Sequence, residues 1–442
     1  MSNLSSPVAS LKYIPGLDGL RAFSVLLVIF FHFISPFAPK SIIARTGWVG
    51  VDIFFVISGY LIAKIWLTRK AALNSKKVDE CSWRSSALGR EYTYFLARRA
   101  RRLLPVYAVC VCVFCIVAIF LNPNSKVLGN LYLLLTMTSN IESSFGDRHA
   151  LGDNLFSLVH FWSLAVEWHF YLIFPLLFLY FQSIKKASTY LVLLALLTRL
   201  CFFAVGLSDN ATYSFSFCRF DSLALGALIA AYNLDSRGIK WEAPFIFGAA
   251  VFLILMLSVY LSSIPFKSLH WLQTFGYTVI SASIGLVVIA ILRAPENSLL
   301  VRVLELRGIA LIGRASYSIY AWHLVFFPLI MSLASKHFHD PRSQMWTSTL
   351  IAIIATTVLS SLSYLLVEKK PLADRRYFLG TLEATIIIFG KQALHRSSSL
   401  SSLRRVLYRS RFRCLKRNSV SLRCNSNFSS HMSWNCANRC SA

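Results

Sequence analysis

The chain alternates between long apolar segments and shorter, mostly basic polar loops. A transmembrane helix needs about twenty predominantly apolar residues, and many of these segments approach or exceed that length. They are Leu20–Ile34, Val49–Trp66, Leu104–Leu121, Phe161–Phe181, Thr189–Leu207, Cys218–Tyr232, Phe245–Ile264, Phe275–Leu292, Ile309–Ser332 and Trp346–Val367. The pattern predicts an all-α fold, a polytopic transmembrane helix bundle of about ten spans, to within one.

The charges of the loops predict the orientation of the bundle. Loop Thr68–Leu103 carries ten Lys and Arg residues against three acids, which by the positive-inside rule places it in the cytoplasm. Residues 127–140 are apolar for only about fourteen positions, too few for a confident crossing. If this segment does not cross, every later basic cluster also lies inside. We therefore expect both termini to be cytoplasmic and residues 127–140 to be re-entrant or partly buried.

The composition excludes several other classes of protein. Of the 442 residues, 56% are apolar and 14% are charged, outside the range of soluble domains. The net charge of +26 does not indicate nucleic-acid binding, because Lys and Arg gather in the cytoplasmic loops of membrane proteins. The ten cysteines lack metal-ligand spacing, so we predict no metal site. No signal-peptide cleavage site precedes Leu20, so we expect the first apolar segment to be a retained helix.

The end of the chain differs in character from the rest. We predict a membrane domain over residues 1–376, followed by a basic tail over residues 377–442 that is rich in Ser, Arg and Cys. Such a composition cannot bury a core, so we expect this tail to be disordered. A membrane-surface role for the tail, and an origin unrelated to the domain as from a shifted reading frame, remain alternatives.

Ionisable residues inside or beside the apolar segments are candidates for function, because charge in hydrocarbon is costly. Arg21 and His32 are eleven positions apart, roughly 16 Å along a helix, which places His32 near mid-membrane if Arg21 is near the cytoplasmic surface. Asp52 opens the second span. The alternative is a snorkelling arginine and a packed histidine.

The segment RRARRLLP places Arg99 and Arg102 three positions apart on one helix face, at the mouth of the third span. Two guanidinium groups there suit a ligand that carries phosphate. The alternative is a plain positive anchor that holds the loop inside.

Further polar residues lie within the later spans. Arg314, Tyr317, Tyr320 and His323 follow one another at three-residue steps and predict a polar stripe that faces the bundle interior. Glu167 lies in an aromatic helix and is either a site residue or a plain helix-capping acid. Arg219 and Asp221 are near enough in sequence to neutralise each other. By depth we place Arg314 with the cytoplasmic arginines, and His32, Asp52, His160, Glu167, Arg219 and Asp221 in the external half. Together they predict a polar cavity through the bilayer.

At these residues the sequence resembles acyltransferase family 3, the integral-membrane O-acyltransferases that modify surface polysaccharides, lipopolysaccharide O-antigen and Nod factors. The similar segments occur in order over about residues 13–376. They are LDGLRAFSVLLVIFFH, GVDIFFVISGYLI, FLARRARRLLP, FWSLAVEWHFYL, CRFDSLALGALIA, GRASYSIYAWH and VEKKPL.

The resemblance implies roles for residues of this chain. The family's Arg-x10-His signature falls on Arg21 and His32, its Arg-x-x-Arg pair falls on Arg99 and Arg102, and its serine–tyrosine motif begins at Ser316. Where the family often has two acids, this chain has Glu167 followed by Trp168. The candidates for catalysis are His32, Asp52, Glu167, Tyr317 and His323. The candidates for donor or acceptor binding are Arg21, Arg99, Arg102, Arg219, Ser316 and Tyr320.

The resemblance also implies an activity. We expect transfer of an acyl group, most simply acetyl, from cytoplasmic acyl-CoA to a hydroxyl of a cell-surface or lipid-linked carbohydrate, in the bacterial inner membrane and among membrane lipids. Acyl-CoA is a co-substrate, and no bound cofactor or nucleic acid is expected. His32 is either the general base or a transient acyl carrier; Asp52 is a candidate to orient it, and Tyr317 or Tyr320 to stabilise the oxyanion.

Two other functions compete with this one. A transporter or flippase for an acyl donor or lipid-linked glycan also needs a polar cavity, but the sequence contains no convincing inverted repeat. A protein that kept the fold and lost the chemistry is a third possibility. Many relatives of this family also append an extracytoplasmic SGNH-type esterase domain, and this sequence contains no Gly-Asp-Ser block, so we expect a naturally short or truncated form.

Overall fold

The computed structural model describes residues 13–74, 88–147, 149–236, 240–262 and 264–369. Within these residues the protein is built from helices, with one isolated bridge between Gly152 and Ser157 and no strand. The predicted tail, residues 377–442, lies outside the described residues.

Eleven helices form the frame of the bundle. They are α1 (Leu17–Ile34), α2 (Gly50–Asn74), α3 (Leu88–Leu121), α4 (Trp162–Phe181), α5 (Ile184–Ala204), α6 (Ser216–Ala231), α7 (Glu242–Leu261), α8 (Tyr277–Arg293), α9 (Ser316–Trp322), α10 (Phe327–His337) and α11 (Pro341–Ser363). Further α-helices of four to eight residues occupy Ile42–Thr46, Lys126–Gly129, Leu131–Leu135, Ser139–Phe145, Asp209–Ser214, Leu299–Leu304 and Arg307–Arg314. Turns of 3₁₀-helix occupy Gly47–Val49, Val159–Phe161 and Phe266–Ser268, and turns of π-helix occupy Leu272–Gly276 and Tyr364–Glu368.

The described part of the chain contains nine helices that are long and apolar enough to cross a membrane, and ten if α9 and α10 form one broken span. This confirms an all-α polytopic bundle of about ten spans. Residues 127–140 form parts of three short helices and no span. The orientation of the termini stays a prediction.

One predicted span is discontinuous. The apolar segment Ile309–Ser332 was expected to form one helix, but α9 ends at Trp322 and α10 begins at Phe327, with a bend of 55° between them. His323 is the C-cap residue of α9 and therefore lies at this break. Irregular backbone at membrane depth is tolerated where it is surrounded by protein, and His323 is only 2% exposed.

Glycines permit the closest helix contacts. A Cβ at Gly59 of α2 would lie 1.7 Å from the carbonyl oxygen of Leu223 in α6, and one at Gly226 would lie 2.0 Å from the carbonyl oxygen of Val56. Small residues let helix backbones approach closely in a membrane, so these two glycines fix α2 against α6. Gly313 brings helix Arg307–Arg314 against the backbone of Asp18 in the same way.

Candidate active site

A cavity opens into the bundle between α1, α2, α3, α4 and α9. Its polar lining consists of Arg21, Ser58, Arg99, Arg102, Ser163, Glu167, Tyr171, Arg314, Ser316, Tyr317, Tyr320 and Glu368. Apolar walls come from Val51, Phe54, Phe55, Leu61, Leu103 and Leu164. Most of the predicted binding residues therefore line one space.

The four arginines make the cavity strongly basic. Arg21 lies 3.5 Å from a carboxylate oxygen of Asp18, whereas no salt bridge joins Arg99, Arg102 or Arg314 to a carboxylate among the described residues. With two glutamates beside the four arginines, the lining has a formal charge of +2. Such a site attracts anions and holds them better than a surface patch does, because the walls exclude water.

Arg99 and Arg102 differ in accessibility. Arg99 is 9% exposed, and its guanidinium group lies 5.6 Å from the ring centre of Phe95 and 5.5 Å from that of Tyr171. Arg102 is exposed. Both line the cavity, as their three-residue spacing predicts, and Arg102 is the one more open to an entering ligand.

Two carboxylates share the cavity with these arginines. Glu167 accepts a hydrogen bond of 2.5 Å from the Tyr171 hydroxyl, and Glu368 accepts one of 2.6 Å from Ser318. Glu167 lines the same cavity as Arg21, Arg99 and Arg102. Its depth in the membrane stays a prediction.

Tyr320 forms the wall between the cavity and a group of histidines. Its hydroxyl lies 2.5 Å from Ser163 Oγ and 3.1 Å from the carbonyl oxygen of His160. The ring of Tyr320 lies 5.4 Å, centre to centre, from the rings of both His160 and His323. Tyr320 therefore contacts the cavity on one side and the histidines on the other.

The three histidines come from distant parts of the chain. His32 Nδ1 lies 3.2 Å from His323 Nε2, and the rings of His160 and His323 are 4.7 Å apart. His160 and His323 are 1% and 2% exposed, whereas His32 is partly exposed. No group of three or more His, Cys, Asp or Glu side chains in the described part of the chain could hold a metal ion.

Tyr317 and Tyr320 were both candidates to donate a hydrogen bond to an oxyanion. The Tyr317 hydroxyl donates to the Leu103 carbonyl oxygen at 2.8 Å, and that of Tyr320 is engaged by Ser163 and the His160 carbonyl. In this arrangement both hydroxyl protons already have acceptors within the protein. Ser316 is buried in the lining beside them.

Asp52 and Arg219 lie outside the cavity lining, in a buried ion-pair cluster with Arg199 and Asp221. Asp52 accepts hydrogen bonds from Arg219 at 2.5 Å and Ser222 at 3.1 Å, and Arg199 pairs with Asp221 at 2.9 Å. The expected contact of Asp52 with His32 is therefore replaced by a contact with Arg219.

Arg219 and Asp221 belong to the same cluster, but each forms its direct salt bridge with a residue of another helix. Positions two apart on a helix point in different directions, so Arg219 and Asp221 of α6 face different neighbours. All four members of the cluster are fully buried, and Arg219 lies 4.3 Å from the ring centre of Tyr277. Ligand binding by Arg219 would require this cluster to open.

The structure adds residues that were not among the candidates for catalysis or for donor and acceptor binding, although Arg314 and His160 were among the polar residues that predicted the cavity. Glu368, Ser163, Tyr171 and Arg314 line the cavity, and His160 completes the histidine group. A signal existed for Glu368 in the segment VEKKPL and for Arg314 and His160 in their positions within apolar segments. Ser163 and Tyr171 lie in the similar segment FWSLAVEWHFYL, of which only Glu167 was taken as a candidate.

Comparison with known proteins gives one family. Residues 14–365 match the family model described as an acyltransferase domain. Among curated proteins, the chain is 27% identical to the peptidoglycan O-acetyltransferase OatA of Listeria monocytogenes over 84% of this chain and 59% of that protein. It is 26% identical to the O-acetyltransferase OatA of Staphylococcus aureus over 81% and 57%.

A third relative is the putative peptidoglycan O-acetyltransferase YrhL of Bacillus subtilis, which is 30% identical over 81% of this chain and 55% of that protein. The chain thus spans somewhat more than half the length of these curated relatives. No solved structure matches the chain.

Proposed function

Because this chain belongs to the membrane acyltransferase family that residues 14–365 match, we propose that it transfers an acetyl group to a hydroxyl of a cell-wall carbohydrate of the peptidoglycan type. The observation that carries this proposal is one basic cavity whose inner wall, Tyr320, contacts His323, which in turn lies 3.2 Å from His32. The names of the relatives support the acetyl group and the acceptor class.

The donor is acetyl-CoA or a similar acyl-CoA that enters from the cytoplasm. Its phosphate groups bind Arg102 at the mouth and Arg99 behind it, since guanidinium groups form paired hydrogen bonds with phosphate oxygens. Arg21 and Arg314 add positive charge to the same cavity. The pantetheine arm extends inward along the apolar walls, which places the thioester beside Tyr320.

The reaction needs a base near that thioester. His32 removes the proton from the acceptor hydroxyl, whose oxygen forms a bond to the thioester carbonyl carbon; the carbon–sulfur bond then breaks, and the thiolate takes the proton from His32. A positioned base of this kind contributes about 10²–10⁴-fold to the rate. His32 suits the role because it is partly exposed, whereas the two histidines beside it are buried.

Sealed membrane vesicles that contain the full chain test this proposal. We expect radiolabelled acetyl-CoA to label peptidoglycan fragments in inside-out vesicles, where the cavity mouth faces the added donor, and not in right-side-out vesicles. His32→Ala should abolish the label. Equal labelling with both orientations would contradict the cytoplasmic donor, and no label with any glycan fraction would contradict the proposed function.

The same vesicles distinguish a base from an acyl carrier. If His32 acts as a base, donor without acceptor should leave no label on the protein after a rapid denaturing quench at neutral pH. Protein-bound label that disappears with His32→Ala would instead identify an acetyl-histidine intermediate and contradict base catalysis.

A further inference from the structure

The contact between His32 and His323 is specific enough to assign hydrogen positions. His323 Nδ1 lies 2.7 Å from the carbonyl oxygen of Tyr320. A carbonyl oxygen can only accept a hydrogen bond, so Nδ1 of His323 carries the hydrogen. In the neutral ring the other nitrogen, Nε2, then carries a lone pair, and this is the nitrogen that faces His32.

The same argument fixes the ring of His32. Its Nδ1 lies 2.9 Å from the carbonyl oxygen of Val28 and 3.2 Å from His323 Nε2. Both of these partners are acceptors, so Nδ1 of His32 must be the donor. The lone pair of neutral His32 is therefore on Nε2.

On the basis of the proposed acetyl transfer, we infer that His323 is a positioning residue: its Nε2 shares the hydrogen of His32 Nδ1 with the Val28 carbonyl oxygen, which leaves His32 Nε2 as the base of the reaction. The two acceptors together fix the tautomer of His32, and His323 adds to this by holding the ring orientation and steadying the positive charge when His32 holds the acceptor's proton. The third member of a Ser-His-Asp triad acts on its histidine in this way. His323 itself gains and loses no proton during the step.

The position of His323 supports this role. It lies at the break between α9 and α10, and its backbone N–H still bonds to the Ile319 carbonyl oxygen, so the ring is held at a fixed point of the bundle. The ring is buried and packs beside Phe33 at 6.4 Å and His160 at 4.7 Å. A ring enclosed in this way cannot itself reach an acceptor, but it can hold the partly exposed ring of His32.

Two amide variants separate positioning of His32 from anchoring to Tyr320. The carboxamide of His323→Gln can place its oxygen where Nε2 stands, which restores an acceptor for His32. The carboxamide of His323→Asn is one carbon closer to the backbone, so it reaches only the position of Nδ1, which faces the Tyr320 carbonyl oxygen. His323→Leu removes both functions while it keeps an apolar side chain in the site.

The readouts are kcat, KM for each substrate and thermal unfolding in detergent, measured on the full chain. We expect His323→Leu to lower kcat by about 10²-fold with little change in either KM, because orientation of the base acts on the chemical step. His323→Gln should recover to within about tenfold of the unsubstituted protein, and His323→Asn should not. Rescue by Asn rather than Gln, or equal losses for all three, would overturn the inference.

A measurement without turnover tests the inference separately from the proposed function. In protein labelled with ¹⁵N-histidine, the spectra of the unsubstituted protein and His32→Ala identify the His32 resonances by difference. We expect His32 to carry its hydrogen on Nδ1, and His323→Leu to shift the resonance of that nitrogen. A hydrogen on Nε2 of His32 would overturn the inference even if acetyl transfer is confirmed. Correct tautomers without acetyl transfer would contradict the proposed function alone.

Discussion

The basic cavity and the buried ion-pair cluster both contain arginines within the bundle, but only the arginines of the cluster all form salt bridges with carboxylates. In the cluster, Arg219 pairs with Asp52 and Arg199 with Asp221, and all four side chains are fully buried. In the cavity, Arg99 and Arg102 have no carboxylate salt bridge among the described residues. Arg99 and Arg102 are therefore open to a charged ligand, whereas Arg199 and Arg219 already have carboxylate partners.

The largest effect is expected in the ion-pair cluster. Asp52→Leu or Arg219→Leu leaves the other charge buried without its partner, which costs about 3–5 kcal/mol. The double variant removes both charges and should recover much of the lost stability. Thermal unfolding in detergent and the yield of monodisperse protein measure this. A fully stable single variant would show that the cluster is not structural.

Next in size is the effect at the cavity mouth. Arg102→Ala should raise KM for acetyl-CoA by about 10–100-fold with little change in kcat, since a hydrogen bond to a charged group is worth about 1.5–3 kcal/mol. Its thermal unfolding should not change. Arg101→Ala is the matched control, because Arg101 is the adjacent arginine and does not line the cavity. An equal rise in KM for both variants would contradict a phosphate site at Arg102.

The sequence was sufficient for the number of spans and for the arginine pair, because both depend on local regularities. Apolar length determines whether a helix can cross, and a spacing of three places Arg99 and Arg102 on one face. The break at His323 was missed because apolar composition is the same in a straight and a broken span. Its backbone geometry depends on what surrounds it in the bundle.

Contacts between helices were the least predictable feature. The sequence offered Asp52 as a candidate to orient His32, and mutual neutralisation as one explanation of Arg219 and Asp221, because these residues are near in depth or in sequence. The true partners, Asp52 and Arg219, are separated by 167 positions and are brought together by the close packing of α2 on α6 at Gly59 and Gly226. A sequence does not state which way each helix is rotated in the bundle, so it cannot identify these partners.

A smaller effect is expected at the wall between the cavity and the histidines. Tyr320→Phe removes the hydroxyl that contacts Ser163 and the His160 carbonyl, and we expect kcat to fall about tenfold because the wall beside the reacting groups loosens. Tyr317→Phe is the matched control, because its hydroxyl bonds to Leu103 instead. A larger loss in kcat for Tyr317→Phe than for Tyr320→Phe would show that Tyr317, and not Tyr320, lies beside the reacting groups.

The smallest effect is expected from a carboxylate of the cavity. Glu368→Gln removes one negative charge from a lining with a formal charge of +2 but keeps an oxygen that can accept the hydrogen bond from Ser318. Phosphate should then be repelled less, so KM for acetyl-CoA should fall about two- to fivefold, an effect of about 0.4–1 kcal/mol. Because salt screens charges that solvent reaches, the difference in KM should shrink as ionic strength rises. A rise in KM for Glu368→Gln would mean that Glu368 helps to bind the donor instead of opposing its charge. The carboxylate of Glu368 would then support the cavity arginines, as Asp52 and Asp221 support the arginines of the ion-pair cluster.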